Sequence, residues 1–354
     1  MVPVLDINKV TLMPCSEKRA RKLMEKGQAV AYWQTGIFCI KLVKEPSNRK
    51  YQKVALGIDP GSEREGYTAA TEKHVILNIT TNTPNWVKAH VETRRILRRS
   101  RRSRKTPYRM CRSNRSTLRS ANRAPPSTKA RWNAKLRIIK QLQKILPITV
   151  INVEDISAIT KEGKTKWNKS FSPLEVGKIW FYSEVKKLNV ELVKTKGYDT
   201  KAHRDIRDFK KSKEKLEYIW EAHNVDSHSL AEMVLKANVK PFLGMYKIQF
   251  LEYHRRQLHV ANFAKGGKRK SYGTTVSLDL QRGSTVKYKK RLAYIGGSSK
   301  GKIAIHDIET RKRINQNGKR TDIVLLYVRK YTTTYNKRSA VHPLAKAKGI
   351  PATR

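Results

Sequence analysis

The fold is decided by residues 54–62, whose sequence is VALGIDPGS. The apolar run predicts a buried strand, and the Pro60-Gly61 pair directly after Asp59 predicts a turn. A second run, residues 148–153 with sequence ITVINV, leads straight into Glu154. Its apolar residues fall on both faces, which is typical of a central strand. Two such strands, each followed by an acid, predict an α/β domain with a polar site at one edge of its sheet.

The patterns around these two strands give the order of the domain. Strands are predicted at 66–71, 75–79 and 190–193, and helices at 129–146, 174–188 and 227–237, the last with Asp226 at its start. Without the arginine-rich insert the order is β-β-β-α-β-α-β-α, the order of an RNase H-like fold. That fold places the first and fourth strands side by side. Asp59, Glu154 and Asp226 are therefore expected to converge.

The two ends of the chain predict separate units. Residues 1–50 predict a small α/β module with strands at 2–5, 29–33 and 37–43, and with a helix between Ser16 and Gly27. From residue 255 onward, glycines separate short strands at 275–280, 285–288, 302–308 and 322–328, which predicts a small β-barrel, with an SH3-like topology as one candidate. The last twenty residues favour a tail.

The charge of the chain indicates a polyanionic partner. Lysine and arginine total 77 against 28 acids in 354 residues, a formal net charge of +49. Such a charge repels itself in the compact state, and nucleic acid relieves it, because each neutralised phosphate also releases counterions. A merely soluble basic protein and a membrane-surface binder are the alternatives. Residues 255–354 alone hold 25 lysines or arginines and four acids.

Cysteine usage and the N-terminus bear on the compartment. The three cysteines, Cys15, Cys39 and Cys111, are scattered without a C-x-x-C motif, which argues against a zinc knuckle and fits a reducing interior. No signal peptide or membrane span is predicted. We expect a cytoplasmic, prokaryotic protein that acts on DNA.

The arginine-rich insert is the clearest candidate nucleic-acid surface. Residues 93–153 contain no acid. A helix that Pro107 must end carries Arg94, Arg95, Arg98, Arg99, Arg101, Arg102 and Arg104. Like charges at these spacings destabilise the helix when it is free in solution. We therefore expect the helix to bind phosphates, and this interpretation is favoured over that of a merely solvated charged face. Further candidate contacts are Arg109, Arg112, Arg115, Arg119 and Arg123 nearby, and Arg255, Arg256, Lys268, Arg269, Lys289 and Lys290 toward the C-terminus.

The three acids predict a metal site. Taken alone, Asp59 before Pro-Gly fits a turn residue, and two carboxylates can form a structural ion pair. Three converging carboxylates repel one another unless a cation lies among them. Oxygen ligands suit Mg²⁺, and two ions about 4 Å apart can cleave a phosphodiester. His223, three residues before Asp226, is a candidate to position or deprotonate the attacking water. Asp155 is expected on the opposite face of its strand and is left out of the site.

Several motifs resemble the IscB-like transposon-encoded proteins. Leu12-Met13-Pro14 resembles their PLMP module, with Thr11 in place of its first proline, and residues 57–62 resemble the first RuvC motif. Val153-Glu154-Asp155 resembles the second motif and residues 223–226, with sequence HNVD, the third. The arginine-rich stretch is similar to their bridge helix. Residues 255–259 with 265–267 are similar to the start of their target-interaction region.

The resemblance implies the shorter IsrB type. Larger members carry an HNH nuclease between the second and third RuvC motifs, but residues 155–222 contain one histidine, His203, and no cysteine. What it implies is a structured guide RNA, the omega RNA, paired to one strand of a double-stranded DNA target. It also implies recognition of a target-adjacent motif and nicking of the displaced strand by two Mg²⁺ ions, with Mn²⁺ as a substitute. The protein is then one monomer in the ribonucleoprotein.

The domain boundaries follow from the same resemblance. They are 1–50 for the PLMP module, 51–85, 126–195 and 196–254 for the three RuvC parts, 86–125 for the bridge helix region and 255–354 for the C-terminal domain.

Three alternative functions stay open. They are an RNA-independent junction nuclease, which needs a symmetric dimer, a non-catalytic RNA-binding or chaperone protein, and a TnpB-like nuclease that cuts both strands.

Overall fold

A central mixed sheet carries the candidate site. The computed structural model describes residues 1–105, 124–158, 172–214, 217–252, 276–328 and 331–336, with the backbone alone at 101 and 103–105. The strands are β1 (Val2–Leu5), β2 (Thr11–Cys15), β3 (Ala29–Gln34), β4 (Ile37–Leu42), β5 (Ala55–Asp59), β6 (Arg64–Ala70), β7 (Val75–Asn82), β8 (Val150–Glu154), β9 (Glu191–Thr195), β10 (Met245–Phe250), β11 (Val276–Ser277), β12 (Leu280–Gln281), β13 (Thr285–Tyr288), β14 (Arg291–Ser299), β15 (Lys302–Asp307), β16 (Arg313–Gly318), β17 (Ile323–Tyr327) and β18 (Tyr331–Asn336). The helices are α1 (Glu17–Glu25), α2 (Trp86–Lys105), α3 (Pro126–Leu142), α4 (Pro173–Lys186), α5 (Gly197–Ile206), α6 (Trp220–His223) and α7 (Val225–Leu235).

The central sheet has the order β18-β10-β7-β6-β5-β8-β9. Strands β8 and β9 run parallel to β5, whereas β6 is antiparallel to it. The five strands from β5 to β9 thus have the RNase H-like order that the sequence predicts, with the first and fourth side by side. Every residue of β5 and β8 is buried except the terminal acid of each, as expected for central strands.

Two strands of this sheet are additions to the predicted fold. Strand β10 pairs in parallel with β7, and β18 pairs antiparallel with β10 over six residues. Residues 331–336 were expected in a separate C-terminal domain or tail, but they form an edge of the central sheet. Thr333 also donates from Oγ1 to the carbonyl of Thr35 at 2.8 Å. The C-terminal part of the chain therefore returns to contact both the central sheet and the N-terminal module.

The outer units differ in detail from their predictions. The N-terminal sheet has four strands, with β2 in addition to the three predicted, and α1 is capped by the Ser16 side chain, which accepts from Arg19 N at 3.2 Å. The C-terminal sheet has the order β16-β15-β14-β13-β17. Strands β16 and β17 lie at its two edges, and in the described part of the chain no pairing closes it. Strands β13 to β16 form an antiparallel meander, and β17 returns to pair with β13. The strand-rich unit agrees with the prediction, and its closure into a barrel stays a prediction.

A buried ion pair fixes α3 on the sheet. Lys135 of α3 and Glu65 of β6 have side chains 4% and 1% exposed, and the Lys135 ammonium donates to Glu65 Oε1. Glu65 Oε2 also accepts from the Tyr67 hydroxyl at 2.7 Å. The buried carboxylate thus depends on Lys135 for its neutralising charge.

We expect Lys135→Met to lower the free energy of unfolding by about 3–5 kcal/mol, because it leaves Glu65 buried and without its cation. Urea denaturation measures the change. The control is Lys140→Met on the same helix, where the side chain is exposed and the effect should be small. The double variant Lys135→Met/Glu65→Gln should recover part of the loss. Equal effects at residues 135 and 140 would contradict this account of the pair.

Candidate active site

Two of the predicted acids end neighbouring parallel strands. Ile58 of β5 is paired with Val153 of β8, so the next residues, Asp59 and Glu154, lie side by side at the carboxyl edge of the sheet. Glu154 has room beside α5 because residue 197 is glycine. A Cβ atom there would lie 2.8 Å from Glu154 Oε1.

The third acid is brought in by α7, which lies directly on β5 and β6. A Cβ atom at Gly57 would lie 1.9 Å from the Ser227 carbonyl oxygen, and one at Gly66 would lie 1.7 Å from that of His223. Both distances are far inside van der Waals contact, so only glycine permits this approach. The helix therefore begins over the end of β5, and its Asp226 is placed beside Asp59.

Two cations that the sequence analysis did not select contact this site. Lys211 Nζ forms a salt bridge with Asp226 Oδ2 and lies 4.0 Å from Asp59 Oδ2. Arg204 Nη1 donates to Asp226 Oδ1 at 2.7 Å. No pattern marked these two residues among the 77 lysines and arginines of the chain. Their contacts come from α5 and the segment after it, where no element was predicted.

A second, buried ion pair holds α5 against α7. Arg207 donates from Nε and Nη2 to the two carboxylate oxygens of Glu232, each at 3.1 Å. The Glu232 side chain is fully buried, and its Oε1 also accepts from Val239 N. A two-point Arg–carboxylate contact fixes orientation as well as distance. It therefore sets the helix from which Arg204 reaches Asp226.

The electrostatics of the site favour a bound cation. Burial raises the pKa of Asp59 well above its usual value, and the neighbouring Glu154 and Asp226 carboxylates raise it further, while Lys211 acts in the opposite direction. Burial alone would lower the pKa of Lys211, but Asp59, Asp226 and Glu154 outweigh it and raise that pKa. The mutual effects show that the three carboxylates share one electrostatic environment.

The raised Asp59 pKa predicts a pH-dependent stability without metal. The unfolded chain releases the Asp59 proton first, near an ordinary aspartate pKa of about 3.9, so rising pH favours the unfolded state until the folded pKa is passed. Asn cannot ionise. In a metal-free buffer we therefore expect Asp59→Asn to have a higher thermal midpoint than the unchanged protein at neutral pH, and the two midpoints to converge near pH 4. Asp279→Asn, at an exposed acid, is the control. A lower midpoint for Asp59→Asn at neutral pH would contradict the prediction.

The donor set suits a hard divalent cation. All three side chains offer carboxylate oxygens, the ligands that Mg²⁺ takes, and the site already attracts the Lys211 ammonium. Within the described ranges, no three His, Cys, Asp or Glu side chains are already positioned to coordinate one metal ion. The chemistry of the donors fits Mg²⁺, and Lys211 competes with it for Asp226.

His223 and Asp155 have other partners. His223 is buried, and its Nε2 forms a hydrogen bond with the Glu217 carbonyl oxygen at 2.8 Å. Asp155 forms a salt bridge with Lys178 at 2.9 Å and accepts from the Tyr182 hydroxyl at 2.8 Å, which ties it to α4. Asp155 is thus engaged away from α7, in keeping with its exclusion from the predicted site.

The predicted nucleic-acid contacts divide by whether the structure describes them. Arg94, Arg95, Arg98, Arg99 and Arg102 are exposed on α2, and Lys289 and Lys290 are exposed between β13 and β14. Arg101 and Arg104 lie in α2, but their side chains are outside the described part. Also outside it are Arg109, Arg112, Arg115, Arg119, Arg123, Arg255, Arg256, Lys268 and Arg269.

Comparison with known proteins adds a family resemblance to this geometry. Residues 2–166 match the RRXRR protein family. The match spans a little under half of the chain and includes Asp59, Glu154 and the sequence RRSRR at residues 98–102, which has the pattern of the family's name. Among solved structures, the chain is similar to T. thermophilus RuvC in complex with a Holliday junction substrate, at 13% identity and a TM-score of 0.26, covering 51% of this chain and 90% of that one. No curated protein matched the chain.

A search of the described helices for a membrane span gave a negative result. None of them is both long and apolar enough to cross a bilayer.

Proposed function

We propose that the protein is an RNA-guided DNA nuclease that cleaves phosphodiesters at Asp59, Glu154 and Asp226. One observation carries the proposal. Two adjacent parallel strands and the first turn of α7 bring these three acids together at one edge of an RNase H-like sheet. Each is buried or half-buried, Lys211 lies beside Asp59 and Asp226, and the chain has a formal charge of +49.

The chain's own residues divide the work of such a site. Asp59, Glu154 and Asp226 would hold Mg²⁺, or Mn²⁺ in its place. Two such ions supply an activated water and stabilise the leaving oxygen. Lys211 contacts Asp226 in the absence of metal and limits the repulsion among the carboxylates. His223, held through Nε2 by the Glu217 carbonyl, is proposed to position the attacking water or to take its proton.

The guide and target follow from charge and from the resemblance. The exposed arginines of α2 form a row, and among the residues that the structure describes the one acid within salt-bridge distance of them is Glu92, 3.6 Å from Arg95. Such a row binds phosphates irrespective of sequence. We propose that the sequence is supplied by an omega RNA paired with one DNA strand, while the protein recognises duplex shape and a short adjacent motif. This is the division of labour in RNA-guided effectors, and it fits the IsrB-like motif order.

Copurifying nucleic acid tests the RNA part of the proposal. We expect one defined RNA species to accompany the full-length protein through a high-salt purification. Its absence, with junction cleavage by a protein dimer, would favour the RNA-independent nuclease. A defined RNA without Mg²⁺-dependent cleavage would favour a non-catalytic RNA-binding protein.

The strand outcome is a separate prediction. Residues 155–222 contain one histidine, His203, which lies 3.9 Å from the buried Glu232, so they offer no HNH ligand set. One carboxylate site handles one strand in each engagement. The guide-paired strand is held in a heteroduplex, whereas the displaced strand is single and flexible. We therefore expect nicking of the displaced strand alone.

A target duplex labelled separately on each strand measures this outcome. It is incubated with protein, guide RNA and Mg²⁺, and a duplex without complementarity to the guide is the control. Comparable cleavage rates on both strands would overturn the nickase proposal in favour of a TnpB-like nuclease.

A further inference from the structure

Three cations gather around Tyr218 on the face of the sheet that carries Asp59. The Arg64 guanidinium carbon lies 3.8 Å from the centroid of the Tyr218 ring, and Lys247 Nζ lies 3.9 Å from it. The Tyr218 hydroxyl accepts from Gln249 Nε2 at 3.1 Å, which holds the ring in place. Arg311, between β15 and β16, reaches the same area and donates from Nη2 to the Phe250 carbonyl oxygen at 3.4 Å.

This cation cluster, Arg64, Lys247 and Arg311, is not neutralised by the described part of the protein. No carboxylate in that part lies within salt-bridge distance of any of the three, although all three are half-buried. Arg64 Nη1 and Arg311 Nε are buried without a hydrogen-bond partner there. An unsatisfied donor on a charged group costs free energy unless a ligand pairs with it.

The electrostatics of Lys247 point the same way. Burial is the largest cause that lowers the pKa of Lys247, and the neighbouring Arg64 and Arg311 lower that pKa further. Glu309 has a smaller, opposite effect. Three cations that repel one another therefore come together from two parts of the chain. Two of their hydrogen-bond donors, Arg64 Nη1 and Arg311 Nε, are without a partner in the described part of the chain. An anion placed among them would relieve the repulsion and satisfy those donors.

The register of the sheet relates the cluster to the carboxylates. Asp59 is paired with Gly66, Gly66 with Thr80, and Thr80 with Lys247. Side chains in one such row project from the same face, and three strand spacings separate its ends by about 14 Å. Arg64 lies two residues before Gly66 on β6, on that same face.

The middle of this row is covered by the start of α7, since Gly66 lies against the His223 carbonyl and the buried Thr80 donates to Asn224 Oδ1. The cluster is therefore a separate anion site on the far side of that helix start from Asp59.

We propose that Arg64, Lys247 and Arg311 bind a backbone phosphate of a nucleic-acid strand. The phosphate joins the central sheet to the C-terminal sheet, because Arg311 belongs to the latter. The phosphate chemistry stands on the cluster itself, while the choice of a nucleic-acid strand over free phosphate rests on the proposed function.

The test compares two charge-matched variants of the full-length protein. Lys247→Gln/Arg311→Gln removes two members of the cluster, and Lys140→Gln/Lys187→Gln removes two exposed lysines elsewhere. Binding of a labelled oligothymidylate is measured in EDTA at several salt concentrations. For the first variant we expect roughly tenfold weaker binding, from the loss of charge-assisted hydrogen bonds. We also expect its salt slope to fall by about 0.7, the value for one phosphate contact on a single strand. The second variant should change much less.

Thermal unfolding without nucleic acid separates binding from a structural role. Because removing cations relieves their repulsion, the midpoint of Lys247→Gln/Arg311→Gln should equal or exceed that of the unchanged protein. A lower midpoint would show that the cluster stabilises the fold and would overturn the proposal, as would an affinity and salt slope equal to those of the control variant.

A measurement with inorganic phosphate shows whether the bound anion is free phosphate or a phosphate of a nucleic-acid strand. It should raise the midpoint of the unchanged protein more than that of the cluster variant. If phosphate does so while the oligothymidylate binds both proteins equally, the site takes free phosphate and the nucleic-acid assignment is wrong. None of these measurements requires a metal ion or cleavage. Their results therefore test the phosphate site even if the nuclease proposal is wrong.

Discussion

Asp59→Ala is expected to reduce Mg²⁺-dependent cleavage on the order of 10³-fold or more while guided DNA binding stays near normal. Metal-assisted stabilisation of a phosphodiester transition state contributes several kcal/mol, and each 1.36 kcal/mol is a tenfold change in rate. Both other carboxylates raise the pKa of Asp59, so Asp59 is close to each of them, and its removal takes away a ligand of the shared site. Binding rests on base pairing and on basic residues, which the substitution does not touch. Single-turnover cleavage and filter binding measure the two quantities.

The companion variants make the result specific. Glu154→Ala and Asp226→Ala should give losses of similar size, and the Asp59→Ala/Asp226→Ala double variant should add little, because residues that act as one unit are not additive. Asp205→Ala, at an exposed acid close to Arg204, is the matched control and should keep most of the activity. Normal cleavage by Asp59→Ala in Mg²⁺ would remove the active-site assignment altogether.

The three candidate acids could be selected from the sequence because their signals are local. A buried strand that ends in an acid is visible in a few residues, as at Asp59 and Glu154, and the order of elements then predicts which strands lie side by side. Asp226 was selected because it stands at the start of the last predicted helix in that order, and His223 because of its spacing from Asp226. Lys211 and Arg204 were not found, since no element was predicted between residues 193 and 227, and a long-range contact leaves no periodic pattern in a chain so rich in cations.

The fold could likewise be predicted only where the sequence pattern is local. The five strands from β5 to β9 follow from short apolar runs bounded by turn residues. Strand β18, with sequence YTTTYN, has few apolar residues, and its partner β10 lies some eighty residues earlier in the chain. Only the paired structure shows that these residues complete the central sheet.

The contact between α7 and the sheet leads to the second large effect. At Gly57, a Cβ atom would lie 1.9 Å from the Ser227 carbonyl oxygen and 2.8 Å from Ala231 N. Both are backbone atoms of α7, so no side-chain rotation can relieve the clash, and the helix must shift. We expect Gly57→Ala to lower the free energy of unfolding by about 1–3 kcal/mol or more. Since the shift also moves Asp226, a displacement of about 1 Å should cost on the order of 10²-fold in cleavage.

Gly57→Ala differs from Asp59→Ala in the pair of quantities that it changes. The aspartate variant should lose cleavage without losing stability, whereas the glycine variant should lose both, because its defect lies in how α7 is seated. Urea denaturation gives the stability, and cleavage is measured at a temperature where the variant is still folded. Gly297→Ala is the control, since its Cβ would meet only the Arg282 guanidinium, at 3.3 Å, and that flexible side chain can move. A Gly57→Ala protein with normal stability and normal cleavage would mean that α7 does not lie on β5 as described, and the placement of Asp226 beside Asp59 would fall with it.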